Sequence, residues 1–587
     1  MSSRKLQQVG GRSRRSFLKN VPAAVGAAIA APAMISAETL ATEAQAAGTT
    51  GITAETLRVA QQIAGVELPE SERTLATSLV VQNRANIEAI RNVPLPSETE
   101  PAFSYRPPRP KMSRATARRA VPASTSTAAR LSKPASIESV AFEPLHVLAE
   151  RLRTRQITST ELTSMYLDRL KKHDASLFCV VTLTEDLARA QAAEADREIR
   201  AGRYRGVLHG VPYGIKDLFA AKGIPTTWGA KPYEKQVFDY DSTAVTRLRE
   251  AGAVLLGKLS TGELAVGDLW FRARTRNPWN TERGASGSSA GPASAASAGL
   301  VGFAVGTETN GSIISPASTC GVVGLRPTYG RVSRFGCMTL RWTLDKVGVI
   351  ARSVTDTALV LDVLHGPDGR DETVADLPFH WTGTRSVKGL RIGYIEREFA
   401  AAGAGAGEAD AARAARTAMT SALDVYRKAG ATLVPVTMPT LPAAAIYAML
   451  NAEAGAMFDE LVRSGAINDL ADKTANGRAN QLRAARFIPA VDYIRAQRVR
   501  TLLVQQMNAV FDTVDVFLAP STSGVNSACN VTGHPAMTVP AGVVEGLPVG
   551  LLITGPLYRE EKVLQVAAAF EAATDWHTKH PANYDVQ

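Results

Sequence analysis

Gly284-Ala285-Ser286-Gly287-Ser288-Ser289-Ala290-Gly291-Pro292-Ala293-Ser294 is the stretch on which the reading of this chain turns. By composition it is a flexible linker. Its surroundings say otherwise. An apolar run, Leu300-Val301-Gly302-Phe303-Ala304-Val305, follows it and leads into a second Gly/Ser loop. Linkers seldom sit between buried strands. Small residues there suit backbone that must approach a ligand closely, and glycine permits dihedrals closed to other residues.

Within this stretch Gly287-Ser288-Ser289-Ala290-Gly291 fits G-x-S-x-G, the nucleophile elbow, which would make Ser289 the nucleophile and require a histidine such as His534 downstream. A five-residue pattern of small residues carries little weight in a segment built of Gly, Ser and Ala. Three longer motifs carry more. Upstream stands Gly210-Val211-Pro212-Tyr213-Gly214-Ile215-Lys216-Asp217. Thr275-Arg276-Asn277-Pro278-Trp279-Asn280 leads into the first serine loop. Downstream, Gly306-Thr307-Glu308-Thr309-Asn310-Gly311-Ser312-Ile313 runs on through Gly321-Val322-Val323-Gly324-Leu325-Arg326-Pro327-Thr328. In this order and spacing, with Ser312 24 positions after Ser288, they resemble the amidase signature family. The tail agrees, in Asn530-Val531-Thr532-Gly533-His534-Pro535-Ala536 and Gly546-Leu547-Pro548-Val549-Gly550.

The resemblance implies an α/β fold with a mixed central sheet covered by helices on both faces. It also implies hydrolysis of a carbon–nitrogen amide bond. Ser312 would be the nucleophile that forms the acyl-enzyme. Ser288, preceded by a cis peptide bond, would bridge it to Lys216, the base. Backbone N–H groups of Thr309, Asn310 and Gly311 would form the oxyanion hole, the donors that stabilise the tetrahedral intermediate. An ammonium cannot accept a proton, so Lys216 must be neutral during attack. Burial without a carboxylate partner lowers a lysine pKa and supplies that state. The apolar flank of Val211, Ile215, Leu218 and Phe219 fits such a pocket. The scheme needs no metal and no cofactor. The chain departs from the family pattern at Ser286 and Ala290, where glycine is usual, at Glu308 for Asp, and at Asn310 for Gly. The form of the second loop resembles the peptide-amidase branch. Segment 444–500 is expected to build the substrate pocket, with Tyr447, Met449, Met457 and Phe458 as candidate lining, though such residues are more often core. The expected partner is a small-molecule amide. Three alternatives use the same chemistry: an esterase or carbamate (urethane) hydrolase, an aryl-acylamide hydrolase, and the amide-hydrolysing component of a tRNA-dependent amidotransferase.

Outward from this centre the periodicity alternates. Thr158 and Glu161 have capping-box spacing, with Leu162, Met165, Tyr166 and Leu170 following at helical intervals. A second helix is predicted over 185–200. Short strand-like runs follow at Ala253-Val254-Leu255-Leu256, Val347-Gly348-Val349-Ile350 and Leu390-Arg391-Ile392-Gly393-Tyr394. A helix from about Asp410 to Gly430 precedes a strand at Thr432-Leu433-Val434. Strands alternating with helices independently argue an α/β architecture. The catalytic domain is placed at 138–587.

Upstream of it, 101–137 is a Pro/Ala/Arg-rich linker or arm that cannot bury enough surface to order itself. Residues 47–100 read as short helices, one opening at Thr53 and another over 72–90. Ser13-Arg14-Arg15-Ser16-Phe17-Leu18-Lys19, a mildly apolar run over 21–35 and Ala44-Gln45-Ala46 resemble a twin-arginine signal peptide, residues 1–46. That implies passage through the twin-arginine machinery to the periplasm or exterior. No later stretch holds 18 uninterrupted apolar residues, so no membrane span is expected. The net charge of +11 concentrates in the N-terminus and in 106–133, which requires no nucleic-acid partner. Cys179, Cys320, Cys337 and Cys529 are far apart and show no C-x-x-C spacing, which argues against a zinc site.

Overall fold

A computed structural model describes residues 51–96, 99–103, 131–399 and 410–585. The signal-peptide expectation and most of the expected linker lie outside these residues. Thirteen strands are present among the described residues: β1 (Val180–Leu183), β2 (Pro212–Lys216), β3 (Val254–Leu259), β4 (Arg276–Asn277), β5 (Asn280–Gly284), β6 (Phe303–Glu308), β7 (Val323–Arg326), β8 (Lys346–Ala351), β9 (Arg391–Tyr394), β10 (Thr432–Pro435), β11 (Val516–Pro520), β12 (Ala536–Val544) and β13 (Leu547–Thr554). Eleven form one sheet in the order β1-β3-β2-β6-β8-β7-β12-β13-β11-β9-β10, and β4 and β5 make a separate ribbon. The β3-β2-β6 pairings are parallel, those from β6 through β13 to β11 antiparallel, and β11-β9-β10 parallel again. The sheet is therefore mixed.

Burial follows from the sequence of the central strands. Strands β2, β3, β6, β7 and β8 are buried along their whole length, as expected where helices cover both faces. The helix Ser159–Leu177 opens on the expected capping box, with the Thr158 side chain accepting from the Glu161 N–H and the Glu161 carboxylate accepting from the Thr158 N–H at 2.8 Å. The Gly/Ser/Ala stretch ends in the helix Ala290–Ser297, every residue of which is buried. Small side chains allow it to lie against β2, β3 and β6 at close range.

Residues before the catalytic domain form the helices Ala54–Ala64 and Glu70–Arg91. These do not join the sheet. Ile87, Ile90 and Val93 pack into a second core with Ile446, Met449, Ile488, Val499 and Leu503. No helix among the described residues is long and apolar enough to cross a membrane.

Candidate active site

Three elements bring the expected residues together. Lys216 ends β2, Ser288 stands in the loop between β5 and the helix Ala290–Ser297, and Ser312 lies between β6 and the helix Ile314–Thr319. The parallel β2–β6 pairing sets Ile215 beside Val305, so the end of β2 meets the loop leaving β6. The Ser289 N–H donates to the Ser312 carbonyl at 3.0 Å and ties the two serine loops to one another.

Lys216 is fully buried, and its Nζ donates to Ser288 Oγ at 2.8 Å and to Thr307 Oγ1 at 2.9 Å. No carboxylate among the described residues touches it. Burial pushes its pKa from the ordinary lysine range down to about 7, against weaker opposing pulls from Cys337, Asp345 and Glu308. The neighbouring Asp217 serves another cation: its carboxylate accepts from Lys258 Nζ at 2.9 Å and from the Thr227 N–H at 2.9 Å.

The peptide bond between Gly287 and Ser288 is cis. A side chain at 287 is excluded, because a Cβ there would lie 1.8 Å from the Gly267 carbonyl oxygen. Ser286, where the family pattern has glycine, holds φ +61°, and its N–H donates to Asp268 Oδ2 at 3.2 Å. Ser289 is engaged elsewhere. Its hydroxyl donates to the Thr307 carbonyl at 3.1 Å and accepts from the Thr307 N–H at 3.2 Å. His534 bonds to Thr532 Oγ1 and Asn508 Oδ1, so no Ser289–His534 pair forms.

Ser312 keeps 8% of its surface, and among the described residues its hydroxyl makes no hydrogen bond. The Lys216–Ser288 leg of the expected relay is formed, whereas the Ser288–Ser312 leg is not. The N–H groups of the expected donors Thr309, Asn310 and Gly311, and that of Ser312, meet no acceptor among the described residues. Gly311 has φ +83°, and this turn leaves successive N–H groups unsatisfied beside the Ser312 hydroxyl. The loop is held from behind at both ends. Thr309 Oγ1 donates to Asp345 Oδ1 at 2.6 Å. Glu308 accepts from the N–H groups of Ile313 (2.7 Å) and Ile314 (2.9 Å) at the start of the next helix, and from Arg326 and Asn530 at 2.7 Å each. Arg326 also donates to the His534 carbonyl at 2.9 Å. Glu308 is fully buried; the Arg326 guanidinium and the two N–H donors outweigh desolvation and hold its pKa below the usual carboxylate range.

Thr307, Asp345 and Arg326 have roles here that sequence reasoning did not assign. Thr307 and Arg326 stand inside the quoted motifs, but nothing local marks Asp345. Two of the residues offered as pocket lining or core are core. Met449 and Phe458 are core residues. Tyr447 lies under the Arg341 guanidinium at 3.8 Å. A cavity of about 10 Å³, room for one water, is lined by Leu218, Thr307, Thr309, Asp345 and Lys346 among others, and not by Lys216, Ser288 or Ser312. The apolar residues of the helices in 444–500 fill two further cores, one around Met449 and one around Phe458. No cluster of metal-ligating side chains is present among the described residues.

The Amidase family model fits residues 161–526. Over 481 residues the chain is 38% identical to the A component of the glutamyl-tRNA(Gln) amidotransferase of Roseiflexus castenholzii, a match that spans 74% of this chain and 96% of the relative. Among solved structures it resembles the native peptide amidase of Stenotrophomonas maltophilia (TM-score 0.68, 30% identity, 76% of this chain and all of that one). A bacterial aryl acylamidase is also similar (TM-score 0.64, 25% identity, 74% of this chain and 98% of that one).

Proposed function

The chain belongs to the amidase signature family, and from that premise we propose that it is a free amidohydrolase cleaving a small linear carboxamide. Neutral Lys216 takes a proton from Ser288 as Ser288 takes one from Ser312. The Ser312 oxygen then attacks the carbonyl carbon, and the N–H groups of Thr309, Asn310 and Gly311 carry the negative oxygen of the tetrahedral intermediate. The proton held on Lys216 returns through Ser288 to the leaving nitrogen, and the C–N bond breaks. Water then cleaves the Ser312 ester, with the same relay taking its proton.

One observation carries this reading: a buried amine with no carboxylate partner donates to Ser288 within a loop cluster whose other serine is unbonded. We also propose export to the periplasm or exterior, on the strength of the Arg14-Arg15 motif alone. The identity to amidotransferase components favours a second reading, in which the released ammonia serves a partner enzyme. The same acyl chemistry admits esters, urethanes and aryl amides.

A fluorophosphonate probe tests the assignment directly. Ser312 is expected to take the label, and Ser312→Ala to lose both label and turnover by several orders of magnitude. Label on Ser289 would overturn it. Purified enzyme releasing ammonia from short amides without any partner favours the free amidase; release only in a partner's presence favours the amidotransferase reading.

A further inference from the structure

The relatives are covered almost end to end, yet about a quarter of this chain has no counterpart in them. The pair of helices before the catalytic domain, with the stretch of chain that follows them, lies outside the span of the family model. Its first part is held by the Arg483–Glu72 ion pair at 2.8 Å and by Asn480 Nδ2 donating to the Leu75 carbonyl at 2.6 Å, and its last part is stitched to one further helix. Arg495 donates to the carbonyls of Ile90 (3.3 Å), Arg91 (2.9 Å) and Val93 (2.9 Å). Arg498 donates to those of Pro96 (2.6 Å) and Thr99 (2.7 Å). Arg91 makes a two-pronged ion pair with Asp492, at 2.9 Å on each oxygen. The Ala102 N–H donates to the Gln497 carbonyl at 3.1 Å, and the Phe103 ring stacks on Tyr493 with centroids 5.9 Å apart.

The partners of that last part all lie on the helix Ala490–Val510, and two of them bond onward to Glu453. Tyr493 Oη donates to the buried Glu453 at 3.1 Å, and Gln497 Nε2 donates to it at 3.4 Å. Glu453 also accepts from the Thr343 N–H (2.9 Å) and hydroxyl (2.7 Å). The Thr343 loop holds Asp345, which accepts from the N–H groups of Leu340 (2.6 Å) and Arg341 (2.9 Å) and from Thr309 Oγ1. Hydrogen bonds, continued by the peptide chain from Thr343 to Asp345, thus join the N-terminal arm to the loop that presents Asn310 and Gly311.

We infer that this arm is a clasp that positions the donor loop over 309–311, acting through Tyr493, Gln497, Glu453 and Asp345. Donor geometry at a developing oxyanion is sensitive to displacements of an ångström or less, so a brace behind the loop acts on the transition state more than on substrate binding. The inference rests on the acyl-enzyme reading above.

The test uses the full chain with Arg495→Ala and Arg498→Ala combined, which removes five of the bonds to the arm. Release of the arm is followed by hydrogen exchange over 90–96 and 99–103. The expected result is faster exchange there, a fall of about tenfold in kcat with KM within twofold, and a parallel fall in the rate of fluorophosphonate labelling. Thermal unfolding of the catalytic domain should stay well above the assay temperature, and the Arg495→Lys, Arg498→Lys pair should recover at least half of the lost rate. A merely structural arm would not give that split between kcat and KM. Unchanged exchange in the double alanine variant overturns the clasp, and so does a released arm with kcat and labelling rate intact. Wild-type enzyme that takes the label but turns over no amide sinks the amide reading instead, and the labelling rates still decide this one.

Discussion

Two adjacent strands each bury a lysine completely, and the two pockets do opposite things with it. On β3, Lys258 faces the Asp217 carboxylate at 2.9 Å and Thr226 Oγ1 at 2.8 Å. On β2, Lys216 faces only the hydroxyls of Ser288 and Thr307 and the Thr307 carbonyl. Both lose solvation. Burial lowers the pKa of each, but the Asp217 charge pulls Lys258 back up, while nothing comparable touches Lys216. A counter-ion turns a buried amine into a structural cross-brace, and its omission leaves a base. Lys346 adds the other half of the lesson. It too is buried without a bonded carboxylate and is pushed far down, but its Nζ meets only the Leu344 carbonyl. A neutral amine becomes a catalyst only where it reaches a hydroxyl that reaches a substrate.

The largest expected effect breaks the first pocket. Lys216→Met should cost at least about four orders of magnitude in kcat/KM, because it removes the proton acceptor of the nucleophile. The same substitution removes an unpaired buried amine, so the denaturant midpoint should fall little or even rise. A variant that keeps its rate would show that the amine is not the base. Next in size is the second pocket. Lys258→Met strands the Asp217 charge, which is fully buried, and should destabilise by ~3–5 kcal/mol. Its folded fraction should keep activity within about tenfold. Urea titrations of the two variants, run alongside assays, separate the roles: activity lost without stability at Lys216, stability lost with activity retained at Lys258. If both variants lose both, the contrast is wrong.

That contrast was only half legible in the sequence. The alternation of strands and helices gave the α/β class, and the motifs placed Lys216, Ser288 and Ser312 on three loops or strand ends that the β2–β6 pairing joins. Capping at Thr158 and Thr53 could be read because a cap is a matter of a few neighbouring residues. Asp345, Asp268 and the Asp217–Lys258 pair could not. Each works across 18 to 41 positions, and no local pattern records which carboxylate a fold will bring to which cation. Met449 and Phe458, expected as pocket lining or core, are core for a related reason. An apolar helical face looks the same whether it meets a substrate or a second core, and here the N-terminal arm supplies part of that core through Ile87, Ile90 and Val93.

The smallest expected effect is also the most direct reading of the difference between the pockets. With its pKa held down to about 7, Lys216 is about half neutral at pH 7 and fully neutral above pH 8, so kcat/KM should rise about tenfold per unit up to pH 7 and then level. An ordinary exposed lysine would put that limb near pH 10. Stability should carry the same signature. Between about pH 7 and the ordinary lysine value, the unfolded chain holds the Lys216 proton and the folded chain does not. The unfolded state therefore binds more protons, and stability rises with pH across that window. Lys216→Met removes this slope along with the limb. A pH–rate profile of the wild type, paired with urea midpoints of wild type and Lys216→Met at pH 7 and pH 9, reads both. A flat rate between pH 6 and pH 9 would mean that Lys216 does not titrate there, and the base would have to be sought elsewhere.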